Sequence, residues 1–284
     1  MRAPSLKADD IASLVDEDGI ACLTALRGEP VAADRVGAVL ASAHGVRWSA
    51  DLLSDILAGV GANSLEDWLR NKFFLQQCEL FEQRPFIWQI WDGLATGFSA
   101  IVNYHRLAAP NGEGKRTLEK LIYTYLGDWL DRQRAEQKGG VEGADGRIAA
   151  AEHLKRELEK ILDGEPPYDI FVRWKPLDQQ PVGWDPDIDD GVRVNIRPFM
   201  TAKPLNARGK NACILRTAPK IKWDKDRGKE STRVMADFPW FWGWDQSSLD
   251  FAGGVEFDGN RWNNLHYSRA VKLAARERAK AGNS

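Results

Sequence analysis

Apolar residues recur at helical spacing over residues 6–15, 32–43 and 49–57, and glycines at 19, 28, 45, 59 and 61 break the pattern. This predicts a small helical N-terminal unit, residues 1–62. Ser64-Leu65-Glu66-Asp67 then supplies a helix start, with an acid three residues after a capping serine. Trp68, Phe73, Leu75, Cys78 and Phe81 carry the apolar stripe on to Arg84-Pro85, where proline ends it. The period then changes. Residues 86–91 and 98–104 read as two aromatic strands joined by the glycine-bounded loop 92–97, a β-hairpin. A long helix is predicted over 117–137, burying Leu118, Leu121, Ile122, Tyr125 and Trp129, and a second over 147–162 after a Gly-rich break at 139–146. The two form a helical hairpin.

Beyond Tyr168 the helical period gives way to prolines, tryptophans and short alternating runs. Pro176, Pro181 and Pro186 fix an extended path, Trp174 and Trp184 anchor it, and Asp190-Gly191 leads into Val192-Arg193-Val194-Asn195-Ile196-Arg197, whose alternation predicts a strand. A last helix over 266–280 carries Ala270, Leu273 and Ala274 on a narrow stripe. The fold class expected is α+β: a helical N-terminal and middle region with a β-hairpin, then a Trp/Pro-rich, short-stranded β region and a C-terminal helix. The segments fall at 1–62, 63–166 and 167–284.

With 284 residues, 43% of them hydrophobic and 10% aromatic, the chain is long enough for one large or two modest cores. No run approaches the ~20 apolar residues that span a bilayer. The first residues, MRAPSLKADDIASLVDEDG, carry acids where a signal peptide has its apolar region, so a cytoplasmic protein is expected. Cys22, Cys78 and Cys213 lie far apart without a CxxC pair and are expected as buried thiols. Charge adds a sharper feature. The net charge is −2, yet residues 193–233 hold twelve Lys or Arg against Asp224, Asp226 and Glu230, a local balance of +9. A basic block in an otherwise acidic chain points to an anionic partner, nucleic acid foremost, with a solvated surface loop as the alternative.

Several motifs approach known chemistry without completing it. Glu165-Pro166-Pro167-Tyr168 resembles the adenine-methylase motif in which Asn or Asp before Pro-Pro-aromatic accepts the amino hydrogens of a flipped adenine. Here it follows a helix rather than an apolar strand, and Glu replaces the shorter acceptor, so it is read as a helix-stop turn. Asp250-Phe251-Ala252-Gly253-Gly254-Val255 lacks the G-x-G spacing of a cofactor turn. Asp185, Asp187 and Asp189 imitate a calcium loop, but Asp190 stands where glycine is required and Ile196 where a closing Glu belongs. Glu113-Gly114-Lys115 and Glu136-Gln137-Lys138 match nuclease signatures only as fragments, and His44, His105, His153 and His266 are scattered. No catalytic, cofactor or metal residue is assigned. The remaining constellation is basic: Lys203, Arg208, Lys210, Arg216, Lys220, Lys222, Lys225 and Arg227 are the candidate DNA-binding residues, because Lys and Arg neutralise phosphates and Arg reads guanine edges. The dense aromatics at Trp240, Phe241, Trp242 and Trp244 are read as core or interface, with stacking on bases as the alternative.

Residues 174–199, together with Arg84-Pro85-Phe86-Ile87-Trp88, residues 97–105, Leu126-Gly127-Asp128-Trp129-Leu130, residues 223–229 and residues 260–267, resemble the C-terminal part of the large adenine-specific DNA methylases of phage-defence systems. These are the BREX and DISARM type and their restriction-modification relatives. The likeness spans about residues 64–280 of this chain and corresponds to the tail of a larger enzyme. It implies adenine-N6 methylation of DNA with S-adenosylmethionine. Neither the cofactor motif nor the Asn-Pro-Pro-aromatic motif is present, so catalysis and S-adenosylmethionine are expected in a partner or parent enzyme. This chain would supply DNA recognition and support, with double-stranded DNA and a catalytic methylase subunit or domain as partners. The alternatives are a scaffold subunit that makes no DNA contact and an inactive gene fragment.

Overall fold

The computed structural model describes residues 18–26, 28–171, 174, 188–221, 256–257 and 260–261. By their contacts the residues divide into two units, Met1–Asp169 with Pro198–Pro219, and Ile170–Arg197 with Lys220–Ser284. The architecture is α+β, with helices around a small antiparallel sheet.

The first unit is built on a three-stranded sheet of order β1-β3-β2, from β1 (Ile20–Cys22), β2 (Ile87–Trp91) and β3 (Ser99–Asn103). The β2–β3 hairpin is the one expected from the aromatic alternation, and its register pairs Trp88 with Val102 and Ile90 with Ala100. Period-two geometry then puts Trp88, Ile90, Ala100 and Val102 on one face, joined from β1 by Ile20 and Cys22. All six are buried. Trp88 packs between Tyr104 and Phe199, with ring centroids 5.1 Å from each, and its indole N–H donates to the Pro85 carbonyl at 2.9 Å. On the opposite face Ile101 and Ala21 meet a cluster of Leu23, Ala32 and Leu69.

The helices of this unit follow the apolar stripes. α1 (Ala32–His44), α2 (Ala50–Val60), α3 (Leu65–Asn71) and α4 (Phe73–Leu80) come before the hairpin. Ser64 caps α3 by accepting from Asp67 N at 3.0 Å, while the Asp67 carboxylate turns back to accept from Asn63 N at 3.0 Å. The bond from Asn63 N, with a further one from Asn71, holds the Asp67 carboxyl below the usual carboxylate range. After the short α5 (Tyr104–Leu107), the expected long helix runs as α6 (Glu113–Lys120), a π-helical turn (Leu121–Tyr125) and α7 (Leu126–Lys138). The π turn brings Tyr125 to Asp18, whose carboxylate accepts the Tyr125 hydroxyl at 2.8 Å and the Lys120 ammonium at 2.5 Å. α8 (Ala144–Asp163) buries Ala150, Ala151, Leu154, Leu158 and Ile161, and Gly164, with φ +71°, closes it. Arg147 of α8 donates to Gln133 and Glu136 of α7 and ties the helical hairpin together.

Three features differ from the sequence reading. β1 is a strand where only helices were expected. Residues 192–197 do not form a strand: α9 (Ile188–Asn195) covers most of them, because Val192 and Ile196, four residues apart and both buried, satisfy a helical period as well as an alternating one. α10 (Arg197–Thr201) follows directly, so helical structure continues past Tyr168. In the second unit the described strands are β4 (Glu256–Phe257) and β5 (Asn260–Arg261), which pair antiparallel. Residues 6–15, the proline-rich path at 175–187, the aromatic run 240–244 and the helix expected over 266–280 lie outside the described residues.

Candidate nucleic-acid interface

After α10 the chain leaves the core as a loop, residues 203–212, and returns to the sheet. Several contacts hold its two ends together. Ile214 N donates to the Ala202 carbonyl at 3.0 Å. The Lys203 ammonium reaches across the loop and donates to the carbonyls of Lys210 at 3.1 Å and Ala212 at 2.6 Å. The Lys203 carbonyl meets His153 Nε2 of α8 at 2.8 Å, and since a carbonyl can only accept, His153 carries its hydrogen on Nε2. Turns close inside the loop from Ala207 N to Pro204 O at 3.0 Å and from Ala212 N to Gly209 O at 3.4 Å, with Gly209 at φ +86°. Residues 205–211, between these anchors, are exposed.

Pro204 itself is buried, and it seats the loop on the hairpin tip. Gly93, at φ +93°, lies so close that a Cβ there would stand 2.6 Å from Pro204 Cβ. The tip is shaped by Asp92, whose carboxylate accepts from Leu94 N at 2.9 Å and Phe98 N at 2.8 Å. Burial pushes the Asp92 carboxyl up to about 6 even though those backbone hydrogen bonds oppose it. Gly97 leaves room for the same carboxylate, since a Cβ there would meet it at 2.2 Å.

Residues 213–216 then run along β2 as an added edge. Trp91 N donates to Ile214 O and Arg216 N to Gln89 O, both at 2.9 Å, and Leu215 bridges to Ile90. The Trp91 indole N–H reaches Leu215 O at 3.0 Å and Cys213 O at 3.2 Å. This placement determines what Arg216 does. Its guanidinium lies 4.4 Å from the Trp91 ring centroid, donates through Nε to Arg70 O at 2.7 Å and through Nη2 to Asn71 Oδ1 at 2.9 Å. Burial lowers its pKa from the usual arginine value. It lines a cleft of ≈ 220 Å³, open mouth included, shared with Gln89 and Ser99.

The eight basic candidates therefore separate. Lys203, Arg208 and Lys210 share one loop, but the Lys203 ammonium is taken up in closing it. Arg208 and Lys210 are exposed, and their side chains enter no ion pair among the described residues. Arg216 is an anchor of the added edge. Lys220 is exposed. Lys222, Lys225 and Arg227 lie outside the described residues. Between residues 198 and 221 there are five Lys or Arg and no Asp or Glu, so the loop faces solvent with an uncompensated positive charge.

The other motifs take local structural positions. Tyr168 of Glu165-Pro166-Pro167-Tyr168 is buried, and its hydroxyl donates to the Glu157 carboxylate of α8. Burial, together with the Glu157 charge, pushes that phenol up. For Glu157, burial works to raise the carboxyl, but hydrogen bonds from Tyr168 and Lys160 outweigh it and hold it below the usual range. Buried in this way and tied to α8 through its hydroxyl, the Tyr168 ring does not present a face to solvent for a base to stack on. All three cysteines are free and buried, as expected, and burial pushes the Cys78 thiol up to about 12. Asp189 lies in α9, and Asp185 and Asp187 lie outside the described residues. Among the described residues no three His, Cys, Asp or Glu converge as metal ligands, and no described helix is long and apolar enough to cross a membrane.

Sequence reasoning missed the Asp92 carboxylate that shapes the hairpin tip and the pairing of 213–216 with β2. Asp-Gly at the start of a loop was a visible turn signal for the first. For the second, Cys213-Ile214-Leu215 is too short an apolar run to announce a strand. No protein-family model matches the chain, and no curated protein matches it.

Proposed function

We propose that this chain is the C-terminal recognition and support part of an adenine-N6 DNA methyltransferase of a phage-defence or restriction-modification system. In this reading it contacts duplex DNA and leaves methyl transfer, with its S-adenosylmethionine, to a catalytic partner or parent domain in the cytoplasm. The observation that supports it is the loop 203–212: two exposed cations, Arg208 and Lys210, on a loop closed by Lys203 and seated on the hairpin by Pro204. A loop ordered before it binds loses little conformational entropy on binding, and cations without protein counter-ions are available to phosphates. If each meets one phosphate, the Arg208→Ala/Lys210→Ala double variant flattens the log-affinity against log-salt slope by about 1.8, at ~0.9 per contact. An unchanged slope and affinity in that variant would reject contact through this loop.

A scaffold reading has its own observation. Leu75 and Leu80 of α4, and Phe81 just after it, are 48%, 75% and 38% exposed. Apolar side chains grouped on one short stretch suit a protein partner. The salt-slope experiment separates this reading from the first, because a scaffold without DNA contact shows no phosphate-dependent slope to lose.

A further inference from the structure

Leu205 is an exposed corner residue of the basic loop, in the turn that Ala207 N closes on Pro204 O. It is 44% exposed, although Pro204 beside it is buried against the hairpin. Around it the chain offers the exposed amides of Asn206 and Asn211 and the exposed cations of Arg208 and Lys210, with no carboxylate between residues 198 and 221. We infer that Leu205 is a wedge that enters the minor groove of duplex DNA and partly unstacks one base step, while Arg208 and Lys210 hold the flanking phosphates. This rests on the duplex-contact reading above.

Three physical arguments lead there. The minor groove, about 6 Å wide, is narrow enough for one apolar side chain to reach a base step while flanking cations stay at the phosphates along its walls. Minor-groove proteins combine Arg, Lys and Asn at the groove with an apolar side chain pushed between base pairs, the unstacking cost being offset by the wider contact that bent DNA allows. Asn amides suit the acceptors that A·T pairs present there. The tethers matter as well. A wedge has to push, and the Lys203 bonds to Lys210 and Ala212, the Pro204 seat and the Ile214–Ala202 bond keep the tip from folding back when it meets the stack. An acidic protein surface is the competing occupant.

The test uses the full chain and a duplex of about two helical turns with 2-aminopurine at a central T-A step, the kind of step most easily unstacked. Binding by the wild type is expected to raise 2-aminopurine fluorescence. In Leu205→Ala the rise should disappear and affinity should fall about tenfold, the scale set by burying one leucine side chain, with the salt slope unchanged. Leu205→Phe, which keeps a large apolar tip, should keep the rise. Because Leu205 is exposed, neither variant disturbs the core. Binding with a normal salt slope but silent fluorescence, or a Leu205→Ala variant that behaves as wild type, overturns the wedge and leaves duplex contact standing. No binding to the duplex at low salt overturns both.

Discussion

Asp92 is 1% exposed at the tip of the β2–β3 hairpin, and its carboxylate organises the turn that seats Pro204. Its pKa is displaced from 3.8 to about 6, which corresponds to about 3 kcal/mol at 1.36 kcal/mol per pH unit. The folded-state value lies above the unfolded one. This contribution to stability is therefore fully present below pH 3.8 and is lost as pH rises through about 6. Asp18 and Glu157, held below their ordinary values, act in the opposite sense, so the pH dependence of the wild type alone is a mixture. The variant Asp92→Asn isolates the contribution of this carboxyl. Its amide cannot charge, keeps one acceptor for the Leu94 or Phe98 N–H, and loses the other hydrogen bond at a cost of about 1–3 kcal/mol that does not depend on pH. Between pH 7 and pH 4.5 the wild type alone recovers about 2 kcal/mol from protonating Asp92. Urea unfolding of both proteins at both pH values, followed by tryptophan fluorescence, should show Asp92→Asn weaker relative to wild type by about 2 kcal/mol more at pH 4.5 than at pH 7. A difference equal at the two pH values, or larger at pH 7, refutes the reasoning, since it means that the charged Asp92 is held at least as well in the folded chain as in the unfolded one.

Three further substitutions probe the same frame. Gly97→Ala places a Cβ within 2.2 Å of the Asp92 carboxylate and should destabilise the chain by about 1–3 kcal/mol in urea, while the exposed Gly140→Ala, with open space around it but φ +74°, costs only its backbone strain of about 1 kcal/mol. Tyr168→Phe removes the hydroxyl that donates to Glu157 and should lower stability by about 1.5–3 kcal/mol, the range for a hydrogen bond to a charged group; a neutral result would mean that Lys160 and water satisfy Glu157 without it.

What could be read from the sequence was what local chemistry decides. Ser64 with Asp67 three residues on is a capping signal because the bonds close within one turn. The hairpin 86–104 was readable because its strands are neighbours in the chain, and the helix over 144–163 because one stripe of alanines and leucines repeats at 3.6 residues. The basic block was a matter of counting. Residues 192–197 show the limit of such reading: Val192, Val194 and Ile196 alternate, yet Val192 and Ile196 also stand one helical turn apart, and only packing chose between the two periods.

The tertiary structure decided which cations are available. Arg208, Lys210 and Arg216 are equivalent as letters, but pairing of 213–216 with β2, across more than a hundred residues of chain, puts Arg216 on Trp91 and Arg70, while Lys203 is spent on two carbonyls. Long-range pairing leaves no trace in periodicity, because the partner strand supplies the hydrogen bonds and the apolar cover that would otherwise have to be local. The sequence by itself determined the α+β class, the hairpin and a positive segment. Folding determined that Arg208 and Lys210, with Leu205, are what that segment holds out to solvent.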